Sequence, residues 1–270
     1  MKTNSQSSKA FTLIELLVVI AVIALLATIG NAAVQSAMRG ATTSAELGAA
    51  KTLATALQAA VADNNGQYPY AFDSQAKNVL DAQGKKIPMM NQIGPRYPFR
   101  LAPYYGFDLD GTLLVGKNKR QILQVMELSK PEGQMYQYGM SVFPSFGINR
   151  HFVGGMRATK NAPESTEAVR TMAQADRNLI AFVSAGTSEI DGYEYVVAPG
   201  APNGNWNSAE WTEGADPGNY GHVHPRHDGK AVVAFLDGSV KKMSLEELRD
   251  MRLWSRNAAI NDDPNYQAQN

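Results

Sequence analysis

From Phe11 to Ile29 the chain is apolar at almost every position, and Glu15 is the single charge in that run. A stretch of about 20 apolar residues is long enough to cross a bilayer as a helix. The pattern then changes without a break. Ala32 to Asp63 is rich in Ala, and Leu47, Ala50, Ala54, Leu57 and Val61 recur at the spacing of one helical face. No Pro occurs between Phe11 and Asp63, so the pattern predicts one helix of roughly 52 residues, about 78 Å long at the usual rise. Gly30, Gly40 and Gly48 each weaken it by about 1 kcal/mol relative to Ala and mark expected bends. Asn64-Asn65-Gly66 ends it with residues that tolerate the left-handed conformation of a C-cap.

Periodicity is weaker downstream. Gln67 to Arg100 is loop-rich, with four prolines and a short helix expected near Ala76 to Ala82. A second helix is expected over Gln121 to Leu128. Strands are expected over Gln134 to Val142, Leu179 to Val183, Tyr193 to Val197, Lys230 to Leu236 and Ser239 to Met243. Asp237-Gly238 between the last two predicts a two-residue hairpin turn. Ser244-Leu245-Glu246-Glu247 is a capping box opening a helix that runs to about Leu253. Gly200 to Gly221 is expected to be a polar, exposed loop holding Trp206 and Trp211, and residues 261–270 a flexible polar tail. The fold class is α+β, a long helix packed on an antiparallel sheet. Its divisions are 1–10, 11–33, 34–65, a globular domain over 66–260, and the tail.

The formal net charge is zero, which leaves no basic footprint for nucleic acid. There is no cysteine, which excludes thiol catalysis, Cys-ligated zinc and a disulfide framework.

Glu15 is the informative exception. A carboxylate at the centre of a membrane helix costs roughly 2.5–3.5 kcal/mol on insertion scales, so it needs a partner. A secretory signal peptide would explain Lys2, Lys9 and the apolar run, with Asn31-Ala32-Ala33 as a poor cleavage site. A plain anchor would explain the length. Neither explains Glu15. Lys9-Ala10-Phe11-Thr12-Leu13-Ile14-Glu15-Leu16-Leu17 resembles the N-terminus of type IV prepilins and type II secretion pseudopilins, with Ala10 where that family usually has Gly. The resemblance implies a leader Met1 to Ala10, removed by a prepilin peptidase. It also implies a methylated amine on Phe11, and a Glu15 carboxylate facing the amine of a neighbouring subunit.

The C-terminal half carries a second resemblance. His227, nine residues, then Asp237-Gly238 matches a motif that ends some pseudopilin-like chains. Asp63-Asn64-Asn65-Gly66-Gln67-Tyr68-Pro69, Arg100-Leu101-Ala102-Pro103-Tyr104 and Phe146-Gly147-Ile148-Asn149 resemble recurring phrases of the same group. The role expected of His227 is to order the loop entering the strand.

Other motifs point elsewhere. Phe107-Asp108-Leu109-Asp110-Gly111-Thr112 resembles the nucleophile and acid–base pair of haloacid-dehalogenase-like phosphatases. That chemistry needs a buried parallel strand, and Pro103 and Gly106 interrupt the segment before it. His222-Val223-His224-Pro225-Arg226-His227-Asp228 resembles a metallo-β-lactamase-like ligand run, but Arg226 stands where a carboxylate is required. The Asp and Asn residues of 214–219 and 261–265 carry the oxygens that calcium uses, without the spacing of an EF-hand. The expectation is therefore no cofactor and no enzyme, with calcium as the alternative.

Together these readings lead to a filament subunit. It is expected in the bacterial inner membrane as a single-pass protein, with Lys2 and Lys9 inside and the globular domain in the periplasm. Its partners would be other pilin-like subunits, the prepilin peptidase, an assembly platform and, before assembly, the lipid bilayer. The alternative is a membrane-anchored exported protein that binds a saccharide or a protein through Trp206 and Trp211. A phosphatase on Asp108 and Asp110 is the remote third.

Overall fold

The computed structural model describes residues 13–128, 133–157, 165–202, 204, 206–208 and 210–269. Helix α1, Leu13–Asp63, is 51 residues long, as the apolar pattern and the lack of Pro predict. Helical structure runs through Gly40 and Gly48, where the sequence predicts bends. Asn65 (φ 53°) and Gly66 (φ 76°) end the helix in the left-handed region, and the Gly66 amide donates to the Val61 carbonyl at 2.8 Å.

The chain forms two compact units, Met1–Thr42 and Thr43–Asn270. In the first, the apolar side chains described between Leu13 and Met38 are exposed, Leu13 and Ile14 most of all. Among the described residues, α1 is the one helix long and apolar enough to cross a membrane.

The second unit begins with the Ala-rich end of α1. Short helices follow: α2 (Met90–Ile93), α3 (Tyr97–Leu101), α4 (Leu109–Thr112), α5 (Asn118–Val125) and α6 (Gln134–Val142). Then come β1 (Phe146–Asn149), β2 (Ile180–Ser184), β3 (Tyr195–Val196), β4 (Lys230–Phe235) and β5 (Val240–Ser244), and finally α7 (Leu245–Leu248) and α8 (Arg256–Ile260). The sheet order is β3-β1-β2-β4-β5. A long helix followed by this five-stranded sheet is an α+β arrangement consistent with the pilin-like fold.

The sheet is mixed, not wholly antiparallel, because β3 pairs parallel to β1. Strand β2 is flanked on both edges, by β1 and β4. The chain leaving β2 reverses direction, finds no free edge there, and pairs beyond β1, to which it is then parallel. Both faces are covered. Phe182, Val232 and Ala234 pack with Leu53 and Leu57 of α1, while Ile180, Val183, Val233 and Phe235 pack with Leu248, Met251 and Trp254. Along β4 that alternation is the period-2 pattern of a sheet between two layers. In β2 a register shift between Ile180 and Phe182 puts those two residues on opposite faces.

Other expectations fail for local reasons. Residues Gln134 to Val142 form helix α6, not a strand. Tyr136, Gly139 and Met140 are buried at helical spacing, and a Cβ on Gly139 would lie 2.6 Å from Met126 Sδ and 2.8 Å from Ile122 Cγ2. Short apolar runs do not distinguish the two periods. Ala76 to Ala82 is not a helix, because Asp81 Oδ1 takes the amides of Gln83 (3.0 Å) and Lys85 (2.8 Å) and closes a turn instead. Strand β1 has no counterpart in the sequence pattern, since its four buried residues do not alternate.

The terminal hairpin forms with a three-residue loop, not two. Leu236 stays buried and its amide donates to the Leu179 carbonyl, so the turn closes from Phe235 to Gly238, with the Gly238 amide on the Phe235 carbonyl at 2.9 Å. The Ser244–Glu247 capping box forms as expected, Ser244 N to Glu247 Oε2 at 2.7 Å and Glu247 N to Ser244 Oγ at 3.2 Å. Residues 261–269, expected as a flexible tail, are held by the body. The Ala268 amide donates to the Gly200 carbonyl (2.8 Å), and the Tyr266 hydroxyl and Gln269 amide both reach the Glu167 carboxylate.

Candidate functional site

The face of α1 that meets the sheet is apolar from Ala49 to Val61, except that it starts with Glu46, 1% exposed. An ionised carboxylate in such a place requires compensation. Arg226 supplies it with a fork, Nε to Oε2 at 3.0 Å and Nη2 to Oε1 at 2.8 Å. His227 Nε2 lies 2.7 Å from Oε2, and the Ser184 hydroxyl donates to Oε1. Burial by itself would raise the Glu46 pKa. The charge of Arg226 and the hydrogen bonds from His227 and Arg226 outweigh burial and bring it down to about 2.

The partners are themselves fixed. Arg226 Nη1 donates to the Ala185 carbonyl at 2.8 Å and Nη2 to the Ser145 carbonyl at 2.8 Å. The Val232 amide donates to Ser184 Oγ at 2.9 Å. His227 Nδ1 is 3.0 Å from Thr43 Oγ1. The ionised Glu46 accepts a hydrogen bond from Nε2, and Nδ1 faces the Thr43 hydroxyl, so the ring spans two side chains of α1. One carboxylate thus ties α1 to the ends of β1 and β2 and to the loop before β4.

A second grip lies at the other end of β4. Lys51 Nζ donates to the Gly238 carbonyl at 2.7 Å, and Gln58 Nε2 to the Leu236 carbonyl at 2.8 Å. Gly238 has φ +81°, and a Cβ there would come within 3.2 Å of Gln58 Nε2 and 3.3 Å of Lys51 Nζ. Asp237 Oδ1 accepts the Ser239 amide at 2.7 Å. His227 and Asp237-Gly238 therefore bracket a strand whose two ends both hold α1, with Thr43 and Glu46 on one side and Lys51 and Gln58 on the other. Sequence reasoning missed Glu46, although it carries the same signal as Glu15: a lone carboxylate on an apolar helical face.

Of the remaining predicted site residues, Glu15 lies in the first turn of α1, while Ala10 and Phe11 fall outside the described residues. Asp108 caps α4, accepting the Gly111 amide at 3.1 Å, and Asp110 pairs with Lys119. Neither stands at the end of a parallel strand, so the phosphatase arrangement is not formed. The histidines go three ways. His222 stacks on Tyr193, His224 Nδ1 is 3.7 Å from Asp191, and His227 meets Glu46. Asp216 Oδ1 accepts the Gly218 amide, Asp262 pairs with Arg252, and Asp263 Oδ1 accepts the Asn265 amide. Among the described residues, no group of three or more His, Asp or Glu is arranged to hold a metal.

The two tryptophans of the polar loop are half-buried. Trp206 donates to the Val197 carbonyl at 2.9 Å and meets Trp254 edge to face, and Trp211 packs on Tyr220 and His224. They serve the core beneath the loop.

An anchoring helix followed by an α+β body defines the class. The prokaryotic N-terminal methylation motif matches residues 5–30. That match supports a type IV pilin-like family and a pilin or pseudopilin-type precursor, and the apolar N-terminal helix fits a single-pass membrane anchor. No curated protein and no solved structure matches the chain.

Proposed function

We propose that the protein is a filament subunit of a type II secretion-like or type IV pilus-like machine. The observation that carries this reading is the methylation motif over residues 5–30, continuing into a helix whose apolar side chains are exposed between Leu13 and Met38. A prepilin peptidase removes Met1 to Ala10 and methylates Phe11. The new amine of one subunit meets Glu15 of the next, which compensates a carboxylate that otherwise opposes burial. The globular domain stands in the periplasm, and assembly proceeds from an inner-membrane platform with other pilin-like subunits. Within that domain, the buried clasp at Glu46 holds the C-terminal part of α1 on the sheet.

Intact-mass measurement of protein made with and without the peptidase tests the processing step, which should remove residues 1–10. Electron micrographs of cells producing the protein test assembly. An unprocessed chain in the presence of active peptidase, or processed chain that never enters filaments, would overturn the reading.

A further inference from the structure

We propose that the outer edge of β5 is a docking site for an acidic segment of a partner protein, which adds to the sheet as an extended strand. The sheet has two edges, β3 and β5. Strand β3 is two residues long, too short to template another chain. Strand β5 pairs with β4 at five consecutive positions, from Lys230 with Ser244 to Ala234 with Val240, without a register shift. An unbroken edge of that length presents a row of backbone groups to solvent.

The hairpin fixes which groups those are. The Phe235 amide donates to the Ser239 carbonyl at 2.9 Å, and pairs along an antiparallel ladder alternate between bonded and non-bonded. Val233 with Lys241 and Ala231 with Met243 are therefore bonded pairs, whereas Val240 and Lys242 turn their amides and carbonyls away from β4. Among the described residues, nothing pairs with that side of β5.

Charge selects the occupant. Lys241 and Lys242 are both exposed and, as neighbours on a strand, point to opposite faces. Lys241 lies 5.0 Å from the Phe235 ring centroid and within electrostatic reach of Glu247, whose Oε2 accepts the Ser244 amide. Among the described residues, neither lysine forms an ion pair. A second copy of β5 in antiparallel pairing would set lysine against lysine, which is unfavourable for directly opposed charges. A strand carrying two successive carboxylates instead places one beside each lysine. Main-chain hydrogen bonds to Val240 and Lys242 give such a segment its affinity, and the lysines select its sign.

Two acetylated and amidated peptides, Thr-Val-Glu-Glu-Val-Thr and Thr-Val-Lys-Lys-Val-Thr, test the site on the full-length protein in detergent. Titration calorimetry reads affinity, and hydrogen exchange over residues 237–244 reads where the peptide lies. The acidic peptide should slow exchange across β5 and bind about tenfold more tightly than the basic one, having two attractive pairs in place of two repulsive ones. Joint substitution Lys241→Glu and Lys242→Glu should invert that preference. Lys242→Pro should abolish binding of the acidic peptide, because it removes an outward amide and no bond to β4. Should that variant fold poorly, the charge inversion at two exposed side chains decides by itself. The absence of acidic-peptide binding at about 1 mM, equal affinity for the two peptides, or affinity unchanged in a folded Lys242→Pro would overturn the proposal. So would protection of β5 that rises with protein concentration in the absence of peptide, the mark of a second copy at the edge.

Discussion

His227 and Glu46 are 181 positions apart in the chain, and their Nε2 and Oε2 atoms are 2.7 Å apart in the fold. The contact is buried at both ends. Through it His227 helps to hold the helix, beyond ordering the loop before β4.

Removing one partner of this buried network leaves the other uncompensated. Arg226→Ala should destabilise the second unit by about 3–5 kcal/mol, and His227→Ala by about 1.5–3 kcal/mol, the range for a hydrogen bond to a charged group. Denaturant unfolding followed by tryptophan fluorescence measures both. A loss below about 0.5 kcal/mol in Arg226→Ala, the size of an ordinary surface substitution, would contradict the clasp.

Acid should weaken the same region in two stages. The His224 pKa is lowered to about 4, first by burial and then by the charge of Arg226. The unfolded chain therefore takes up that proton first, and stability falls as pH drops from 6.5 toward 4. The Glu46 pKa is lowered from 4.5 to about 2, so its contribution is complete above 4.5 and is lost as pH falls toward 2, on the order of 3 kcal/mol in all. Thermal unfolding between pH 7 and pH 3 should show both stages. In Glu46→Gln, the loss below 4.5 should flatten while the loss above it persists.

Gly238→Ala should cost about 1–2 kcal/mol, because a side chain is placed at φ +81°. Lys51→Ala, which removes the donor to the same carbonyl, should lower stability by about 1 kcal/mol. Paired unfolding curves distinguish backbone strain, present only in the first, from loss of the grip.

Two helical glycines should behave in opposite ways. A Cβ on Gly48 meets nothing within 4 Å, so Gly48→Ala should stabilise α1 by about 0.5–1 kcal/mol. A Cβ on Gly139 collides with Met126 and Ile122, so Gly139→Ala should destabilise by about 1–3 kcal/mol. Unfolding midpoints moving in the same direction would refute the helix packing described for α5 and α6.

Glu15→Ala should leave the protein in the membrane, since the apolar run is unchanged, and should stop its entry into filaments. Membrane fractionation and electron micrographs of one culture give both readouts.

Much of this was written locally. The run from Phe11 to Ile29, the absence of Pro up to Asp63, the Asn65-Gly66 cap and the Ser244–Glu247 box each depend on residues within a few positions of one another. The hairpin was legible as a hairpin, but its third loop residue was not, because Leu236 is drawn inward by Leu179 and Gln58. Residues Gln134 to Val142 misled because nine residues with mixed apolar spacing satisfy both periods, and it is the approach of Met126 and Ile122 to Gly139 that selects the helix.

By itself, then, the sequence determined the long helix, the anchor with its lone Glu15, the family resemblance and most of the strands, since these follow from periodicity, capping and the energetics of a charge in an apolar run. The tertiary structure decided the parallel pairing of β3, the inward turn of Trp206 and Trp211, and above all the partner of Glu46. A charge on an apolar face shows that compensation is needed, but the compensating groups come from β2 and from Arg226 and His227. Only the folded sheet brings residues so distant in the chain within hydrogen-bonding distance.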